Sequence, residues 1–424
     1  MTDIQMLISP KTFISYIQKF RLMGWHGVVA YLREKQRLNH LQSFLHQNAT
    51  HYPYASPEKG LTLLFDMTSG VSLSKVMRDF AFSLKEVGIP FQTYDIGSGR
   101  GPVSTEDLSP ILTPIKEFRA ARFSHIIEMF SGCGFSLPDR TRSVIIFTEF
   151  TKGLKAAHPP ICREQSFIGM SDFVVDILKN DFSNCRVDKI LYPFRFTTSV
   201  PGKAHARRAF GFKPDDFIVF YNFDFGSSYG RKNPLGALQA FLKAFSAEPR
   251  AKLVFKTMHA NAFPKRVAEL KSIAKAADAT NRVIFLNDYL SQDDLYALTA
   301  CADVYLSLHR GEGFGLGVAE AMHLGIPAVV TDVASTTEFC TPDNAMPIPY
   351  VTVPIHDDLK DHVCYTDISE WPDPDINAAA NALRTLFDNP DLRQHLGEKA
   401  RTFIREHFSP AEFRRSVENY LSHP

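Results

Sequence analysis

Short apolar runs alternate with stretches of helical periodicity along most of the chain. Leu61–Phe65, Phe91–Ile96, His125–Phe130, Ser143–Phe147, Ser166–Ile168 and Lys189–Tyr192 read as strands. Continuous apolar runs of this kind are what parallel strands buried on both faces make. Leu73–Val87, between the first two, has the spacing of an amphipathic helix and stops at Gly88 and Pro90. Phe173–Lys179, after Ser171 and Asp172, reads as a shorter helix. A second series begins at Phe217–Tyr221 and continues with strands Lys252–Lys256, Arg282–Leu286, Val304–Leu308 and Ala328–Thr331. Helices Leu235–Phe245 (with Pro234 at its start), Pro264–Ala276, Asp293–Ala300 and Val318–Leu324 separate them. Three more, Ile376–Phe387, Asp391–His407 and Pro410–Leu421, finish the chain. Strand–helix alternation of this order predicts an α/β protein with parallel sheets of Rossmann type.

The first fifty residues differ in character. Lys11–Gln47 reads as helical, and this region carries six Lys and Arg against Asp3 and Glu34. A basic helix with aromatic positions fits an anionic membrane surface. It equally fits a helical extension packed on the domain with its basic side outward. The proline-bearing stretch His51–Lys59 and the polar Thr197–Lys203 read as linkers. The expected organisation is a helical extension over 1–55, an N-terminal Rossmann-like domain over 56–200, a C-terminal one over 201–400, and C-terminal helices over 401–424 that pack back on the N-terminal domain.

Composition narrows the picture in three ways. A chain of 424 residues is too long for one ordinary core, which makes two domains the expectation. A formal net charge of +1 gives no overall field for nucleic acid. Six scattered cysteines without a CxxC pair fit neither a zinc site nor a disulfide framework and point to a reducing compartment. Met1–Ser9 lacks the pattern of a signal peptide, and no apolar stretch approaches the length of a membrane span. The expected location is the cytoplasm, at the inner face of the membrane if the N-terminal helix engages it. The 35 phenylalanines read as core.

The candidate chemistry lies in Cys301–Phe339. Gly311-Glu312-Gly313-Phe314-Gly315 separates a buried strand from a helix that Gly325 and Pro327 end. A glycine loop in that place turns backbone N–H groups toward an anion, and the helix start adds its dipole. Glu312 on the loop and Glu320 on the helix bring carboxylates, strong acceptors for paired sugar hydroxyls. Two solvated glutamates beside a structural turn is the plainer reading of those residues. His309 is read either as a packed strand-end histidine or as a phosphate contact. No GxGxxG follows Leu61–Phe65, no GxSxG occurs, and no His, Asp and Cys set has metal-ligand spacing.

The stretch GEGFGLGVAEAM resembles the E-x7-E signature of the retaining nucleotide-sugar glycosyltransferases of family 4 (glycosyl transferases group 1). HRGEGFGL, GIPAVVTD and then Glu338 follow in that family's order, and FYNFDFGSSYGRKNPLGALQAF resembles its first C-domain loop. The resemblance implies a GT-B fold, two Rossmann-like domains facing across a cleft, with a UDP- or GDP-sugar donor and no metal or other cofactor. It implies that Lys232, with Arg231 beside it, neutralises the donor diphosphate. Glu320 would then bind the ribose, and Glu312 with the backbone of Gly313, Phe314, Gly315 and Leu316 the transferred sugar. Tyr289 and Leu290 would flank the base. Ser69, Gly70 and Ser72, after the first strand, would meet a glycan or lipid-linked acceptor. Two positions depart from the family pattern. Phe223-Asp224-Phe225 stands where many members carry an arginine, and Glu149 stands where many carry a histidine. Glu149 is therefore taken with Glu312 and Lys232 as a catalytic candidate. The expected activity is transfer of a mannose, glucose or rhamnose-like hexose, with configuration retained, in surface polysaccharide or glycolipid synthesis. A nucleotide-sugar epimerase or hydrolase on the same fold, and a non-catalytic nucleotide-sugar-binding partner, are the alternatives.

Overall fold

The computed structural model describes residues 36–52, 56–67, 72–96, 105–129, 135–149, 166–195, 200–356 and 369–423. Two six-stranded sheets carry them. The first holds β1 (Glu58–Phe65), β2 (Phe91–Asp95), β3 (Phe123–Met129), β4 (Thr141–Ile146), β5 (Ser166–Gly169) and β6 (Arg186–Lys189), in the order β2-β1-β3-β4-β5-β6. The second holds β7 (Phe217–Asp224), β8 (Ala251–Met258), β9 (Val283–Leu286), β10 (Val304–Ser307), β11 (Ala328–Thr331) and β12 (Met346–Ile348), in the order β12-β11-β10-β7-β8-β9. The described pairings in both are parallel, for example Leu61 with Phe91 and Tyr305 with Ala328. Strands β10 and β11 are buried at every position, as the continuous apolar runs predict.

The chain divides into two compact units. One takes the described residues up to Lys85 and Ile89–Ser143, the other Glu86–Gly88 and Val144–His423. In the first unit, residues 36–51 form the described part of the N-terminal helix. Leu41, Leu45 and Ala49 put its apolar face into a core with Leu64, Ile96, Phe118 and Ile126. Asn48 fastens it further, donating to the Phe118 carbonyl at 3.2 Å and accepting from the Ala120 amide at 2.7 Å. The membrane expectation covers the helix Lys11–Gln47; its part from residue 36 on packs into this core, and the rest lies outside the described residues. No described helix is long and apolar enough to cross a membrane.

In the second unit, helix Pro410–Ser422 lies along β6. The Leu191 amide donates to Ser416 Oγ at 3.2 Å, and Arg186 donates to the Tyr420 carbonyl at 3.0 Å. Helix Pro390–His407 runs unbroken across the expected boundary at 400. Several predicted elements shift. β6 is Arg186–Lys189 and not Lys189–Tyr192. It is a half-buried edge strand, so no apolar run marks it, whereas Tyr192 and Phe194 are apolar because their rings enter an aromatic cluster. β12 is three residues long, and the antiparallel hairpin β13 (Tyr350–Pro354) with β14 (Glu370–Pro374) is mostly polar or exposed. Lys203–Ala209, placed just after the polar linker, is helical.

Each sheet order reverses direction at one place, between β1 and β3 in the first and between β10 and β7 in the second. Ligands of open parallel sheets bind outside the strand C-termini at such a switch point. The loops after β7 and β10 are therefore the structural focus of the second sheet.

Leu45 has no exposed surface. Leu45→Ala is expected to cost about 2–5 kcal/mol, read as a lower urea midpoint for the first unit. An unchanged midpoint would mean that the helix contributes nothing to that core.

Candidate functional site

The loop after β7 is shaped by left-handed residues that are not glycine. Ser228 has φ 72° and Asn233 φ 51°, and between them Tyr229–Lys232 makes one helical turn. Non-glycine residues rarely hold this conformation, and they hold it where the surroundings compel it. Here the compulsion is visible. Asn233 caps helix Pro234–Ala244 through the Gly236 amide at 3.0 Å, and its Nδ2 donates to the Leu308 carbonyl at 2.9 Å. Tyr221, from β7, donates its hydroxyl to the Lys232 carbonyl at 2.5 Å. The Arg310 amide donates to the Arg231 carbonyl at 2.8 Å. The loops after β7 and β10 are thus bonded backbone to backbone, with Lys232 held at their junction.

Lys232 Nζ lies 2.6 Å from Glu312 Oε2, and Arg231 Nη1 lies 3.4 Å from the same oxygen. Glu149, on the loop after β4, brings Oε1 to 3.4 Å from Arg231 Nη2. The side chains of Lys232 and Glu312 are only 18% and 17% exposed. Burial alone would raise the Glu312 pKa, but the charges of Lys232, Arg231 and His309 outweigh it and hold the carboxyl at about 2. Arg231 itself is 3% exposed and also donates to the carbonyls of Ser227 at 2.8 Å and Gly311 at 3.0 Å. It ties the two loops together, whereas the family resemblance implies a place beside Lys232 on a diphosphate.

The glycine loop rests on two supports. Gly315 has φ 92° and starts helix Leu316–His323, and a Cβ there would lie 2.5 Å from Thr336 Cγ2. Only glycine meets both demands. A Cβ on Gly313 would lie 3.2 Å from the Thr148 carbonyl oxygen, so the loop runs close to the backbone next to Glu149. The Phe314 side chain is buried, stacked on Tyr192 at 4.5 Å and near Phe194, Phe339 and Phe408. Its ring anchors the loop from below, which leaves only its backbone for binding. Ser335 closes the other side, donating Oγ to the Gly313 carbonyl at 2.7 Å and lying 2.9 Å from Ser171 Oγ.

Glu320 is 6% exposed and accepts from the Tyr296 hydroxyl at 3.1 Å. Leu316 is half-buried at the helix start. Tyr289 is 65% exposed, and Leu290 beside it is half-buried, on the connection that follows β9. His309 has no exposed surface, and its ring nitrogens face Ser307 and Thr336 at 3.1 and 3.3 Å. Burial lowers its pKa to about 4, more than the Glu312 charge raises it, which makes it a packed neutral histidine. Glu338 accepts from the Phe173 amide at 3.0 Å and from Lys189 at 3.2 Å, bridging helix Asp172–Asp181 and β6. Ser69 and Gly70 lie outside the described residues. Ser72 begins helix Ser72–Val87, and its side chain lies outside them as well. Tyr221, Asn233, Tyr296 and Ser335 escaped the sequence reading. They act through contacts distant in sequence, and no local signal announces them.

Residues 204–363, the span that carries this arrangement, match the family described as Glycosyl transferases group 1. The match takes in 160 of the 424 residues, so it is this segment that is similar to that family. A lipopolysaccharide core biosynthesis mannosyltransferase, LpsB of Rhizobium meliloti (strain 1021), is 35% identical over 74 residues. That match spans 18% of this chain and 20% of LpsB, so the chain aligns with about a fifth of its curated relative. Among solved structures, Anabaena HepE in complex with UDP and glucose superposes with a TM-score of 0.58 at 14% identity, covering 87% of this chain and all (100%) of that one. WaaG, a glycosyltransferase involved in lipopolysaccharide biosynthesis, gives 0.56 at 13% identity, covering 86% and 100%. At such identities the likeness is one of fold, and it bears out the expected pair of Rossmann-like sheets of the GT-B kind.

The depressed Glu312 pKa gives a signed expectation. Its stabilising contribution is complete above the ordinary value of 4.5 and is lost as pH falls through about 2. The stability gap between wild type and Glu312→Gln, read by urea unfolding, should stay level from neutral pH to about 4.5 and narrow below it. A gap that widens on acidification would contradict the pairing of Glu312 with Lys232.

Proposed function

We infer that the protein is a retaining hexosyltransferase. It moves a sugar from a nucleoside-diphosphate donor to a glycan or lipid-linked acceptor in the synthesis of a surface polysaccharide or glycolipid. The observation that carries this reading is the 2.6 Å contact between Lys232 and Glu312, on the loops after the two strands of the switch point. An ammonium and a carboxylate so placed supply what a glycosyl transfer from a diphosphate needs. The cation meets the charge that grows on the departing nucleoside diphosphate, and a fixed charge in a water-poor site is an effective stabiliser of such a leaving group. The carboxylate, with the Gly313–Leu316 backbone, accepts and orients the hydroxyls of the sugar.

Around that pair the remaining roles follow from position. Glu320, oriented by Tyr296, accepts from the ribose hydroxyls. Tyr289 and Leu290 flank the base, Tyr289 offering an exposed ring. Arg231 is a positioning residue that presents Lys232 and Glu312 to one another. Glu149, half-exposed opposite Arg231, is the group on the side of the loop after β4 that faces the reacting sugar. Ser69, Gly70 and Ser72 follow β1, one of the two strands at the first sheet's switch point, and contribute to the acceptor site. The acceptor half is then 56–200 and the donor half 201–400. The enzyme acts in the cytoplasm, at the inner membrane face when the N-terminal helical segment engages lipid. LpsB and WaaG support the polysaccharide setting, and HepE supports a uridine donor.

A thermal-shift panel of UDP, GDP, ADP and their sugars identifies the donor class by mass action on the folded state. With that donor, Lys232→Ala is expected to lower kcat by at least about tenfold, or about 1.4 kcal/mol of transition-state stabilisation. Glu320→Ala is expected to weaken nucleoside-diphosphate binding and raise the donor KM. Unchanged kinetics in both variants would overturn the assignment. Free sugar or altered donor made at full rate without acceptor would instead identify a hydrolase or epimerase. Nucleotide stabilisation without turnover would identify a binding protein.

A further inference from the structure

We propose that a cavity at the other end of the second sheet binds a phosphate-bearing anion, independently of the site around Lys232 and Glu312. The cavity has a volume of about 890 Å³, within the range of small-molecule sites. Ala302 and Asp303, just before β10, and Ile326 and Pro327, just before β11, form part of its wall. It therefore sits at the N-terminal ends of the strands whose C-terminal ends carry the glycine loop, with the length of β10 between the two.

The charge of its lining is one-sided. Lys203, Arg393, Arg401 and Arg405 face it, against the single carboxylate of Asp303. That carboxylate is already neutralised. It lies 2.7 Å from Lys203 Nζ and 2.6 Å from Arg207 Nη2, and it accepts from the Ile218 amide at 2.7 Å. Among the described residues, none of the three remaining arginines meets a carboxylate. Arg393 donates to the Leu386 carbonyl and lies over the Phe217 ring, and Arg401 donates to the Leu324 carbonyl. Burial and the charges of Arg405 and Arg401 push the pKa of His323, another wall residue, down to about 4. Burial is the larger cause, and the two arginines act in the same direction.

The wall is built by helix Pro390–His407. Arg393, Gly397, Arg401 and Arg405 recur every four residues, and so fall along one stripe of that helix. Gly397 lets the stripe close on the segment after helix Leu316–His323, since a Cβ there would lie 2.2 Å from the Gly325 carbonyl oxygen. Gly325, at φ 79°, leaves room for the Arg401 guanidinium, whose Nη2 would be 2.6 Å from a Cβ at that position. Like charges four residues apart on a helix destabilise it. Capping the Leu324 carbonyl accounts for Arg401, and a place in the last turn suits Arg405 to the helix dipole, yet the stripe still sets like charges side by side. A multiply charged anion removes the repulsion. Guanidinium forks match phosphate oxygens in pairs, which favours a phosphate ester or polyphosphate over a monocarboxylate.

Inorganic pyrophosphate is the probe, with isothermal titration and thermal shift as readouts. Pyrophosphate also resembles the donor diphosphate expected at Lys232, so the titrations are made in Lys232→Ala, where binding at the cavity should remain. Arg405→Gln should bind about tenfold more weakly, equivalent to about 1.4 kcal/mol. In the same Lys232→Ala background the pair Arg393→Gln/Arg405→Gln should not respond, while nucleotide stabilisation of the arginine variants with Lys232 intact stays at the wild-type level and reports an intact fold. Co-sedimentation with phosphatidylglycerol vesicles distinguishes the source of the phosphate. Arg405-dependent binding to free pyrophosphate indicates a soluble ligand, and Arg405-dependent binding to vesicles alone indicates a lipid headgroup. Either result supports the site. Binding lost in Lys232→Ala but kept in the arginine pair with Lys232 intact, or no Arg405-dependent binding in either assay, overturns it.

Discussion

A carboxylate drawn out of water needs a cation within reach, and in this protein that requirement organises the second unit. Glu312 is mostly buried, and its charge is tolerated because Lys232 and Arg231 meet it. Both cations come from neighbouring positions of one loop, so the loop must turn two consecutive side chains toward one point. An extended backbone points such neighbours to opposite sides. The helical turn of Tyr229–Lys232, entered through Ser228 and left through Asn233 in left-handed conformations, brings them together. The local strain is held in place by the hydrogen bonds from Tyr221, Asn233 and Arg310.

The carboxylate side of the pair has its own dependency. Glu312 can only face Lys232 if the glycine loop keeps a single shape, and glycines alone do not confer one. Phe314 does. Its ring joins Tyr192, Phe194, Phe339 and Phe408, contributed by the segment after β6, the turn before Cys340 and the end of a C-terminal helix. Burying an aromatic ring of this size is worth a few kcal/mol. The glycine positions make the loop able to bend, and the one aromatic residue between them decides how it bends. Ser335 and Glu338 extend the same fixation to helix Asp172–Asp181 and β6 through polar contacts.

Much of this was legible in the sequence because it is local. Apolar runs gave the central strands, Pro234 and Gly325 gave helix ends, and the E-x7-E stretch gave the loop and its two acids. Edge elements were harder. β6 is half-buried and polar, so the nearby Tyr192 and Phe194 drew the strand assignment past its true end. The site's supporting residues were harder still. Tyr221 and Tyr296 look like ordinary core tyrosines until the fold brings Lys232 and Glu320 to their hydroxyls. Arg231 illustrates the limit. Its neighbour Lys232 made it read as a second ligand, whereas its burial and its bonds to Ser227 and Gly311 make it a strut. Sequence adjacency reports which residues share a loop, and only the fold reports where each side chain is spent.

Under the proposed function, the Lys232–Glu312 contact also bears on how a diphosphate would be received. An isolated buried ammonium would lower its cost by losing its proton, and a neutral amine stabilises no leaving group. Burial still draws the Lys232 pKa below its ordinary value, and pairing with Glu312 opposes that fall and orients the ammonium. A diphosphate arriving at Lys232 must then compete with the carboxylate, which weakens ground-state binding. The competition shifts as negative charge accumulates on the leaving oxygen, because the phosphate becomes the stronger partner while the carboxylate does not change. An interaction that strengthens toward the transition state is the kind that raises turnover instead of merely tightening binding. On this account Glu312 contributes twice, as an acceptor for the sugar and as the counter-ion that makes Lys232 selective for the charge that develops late.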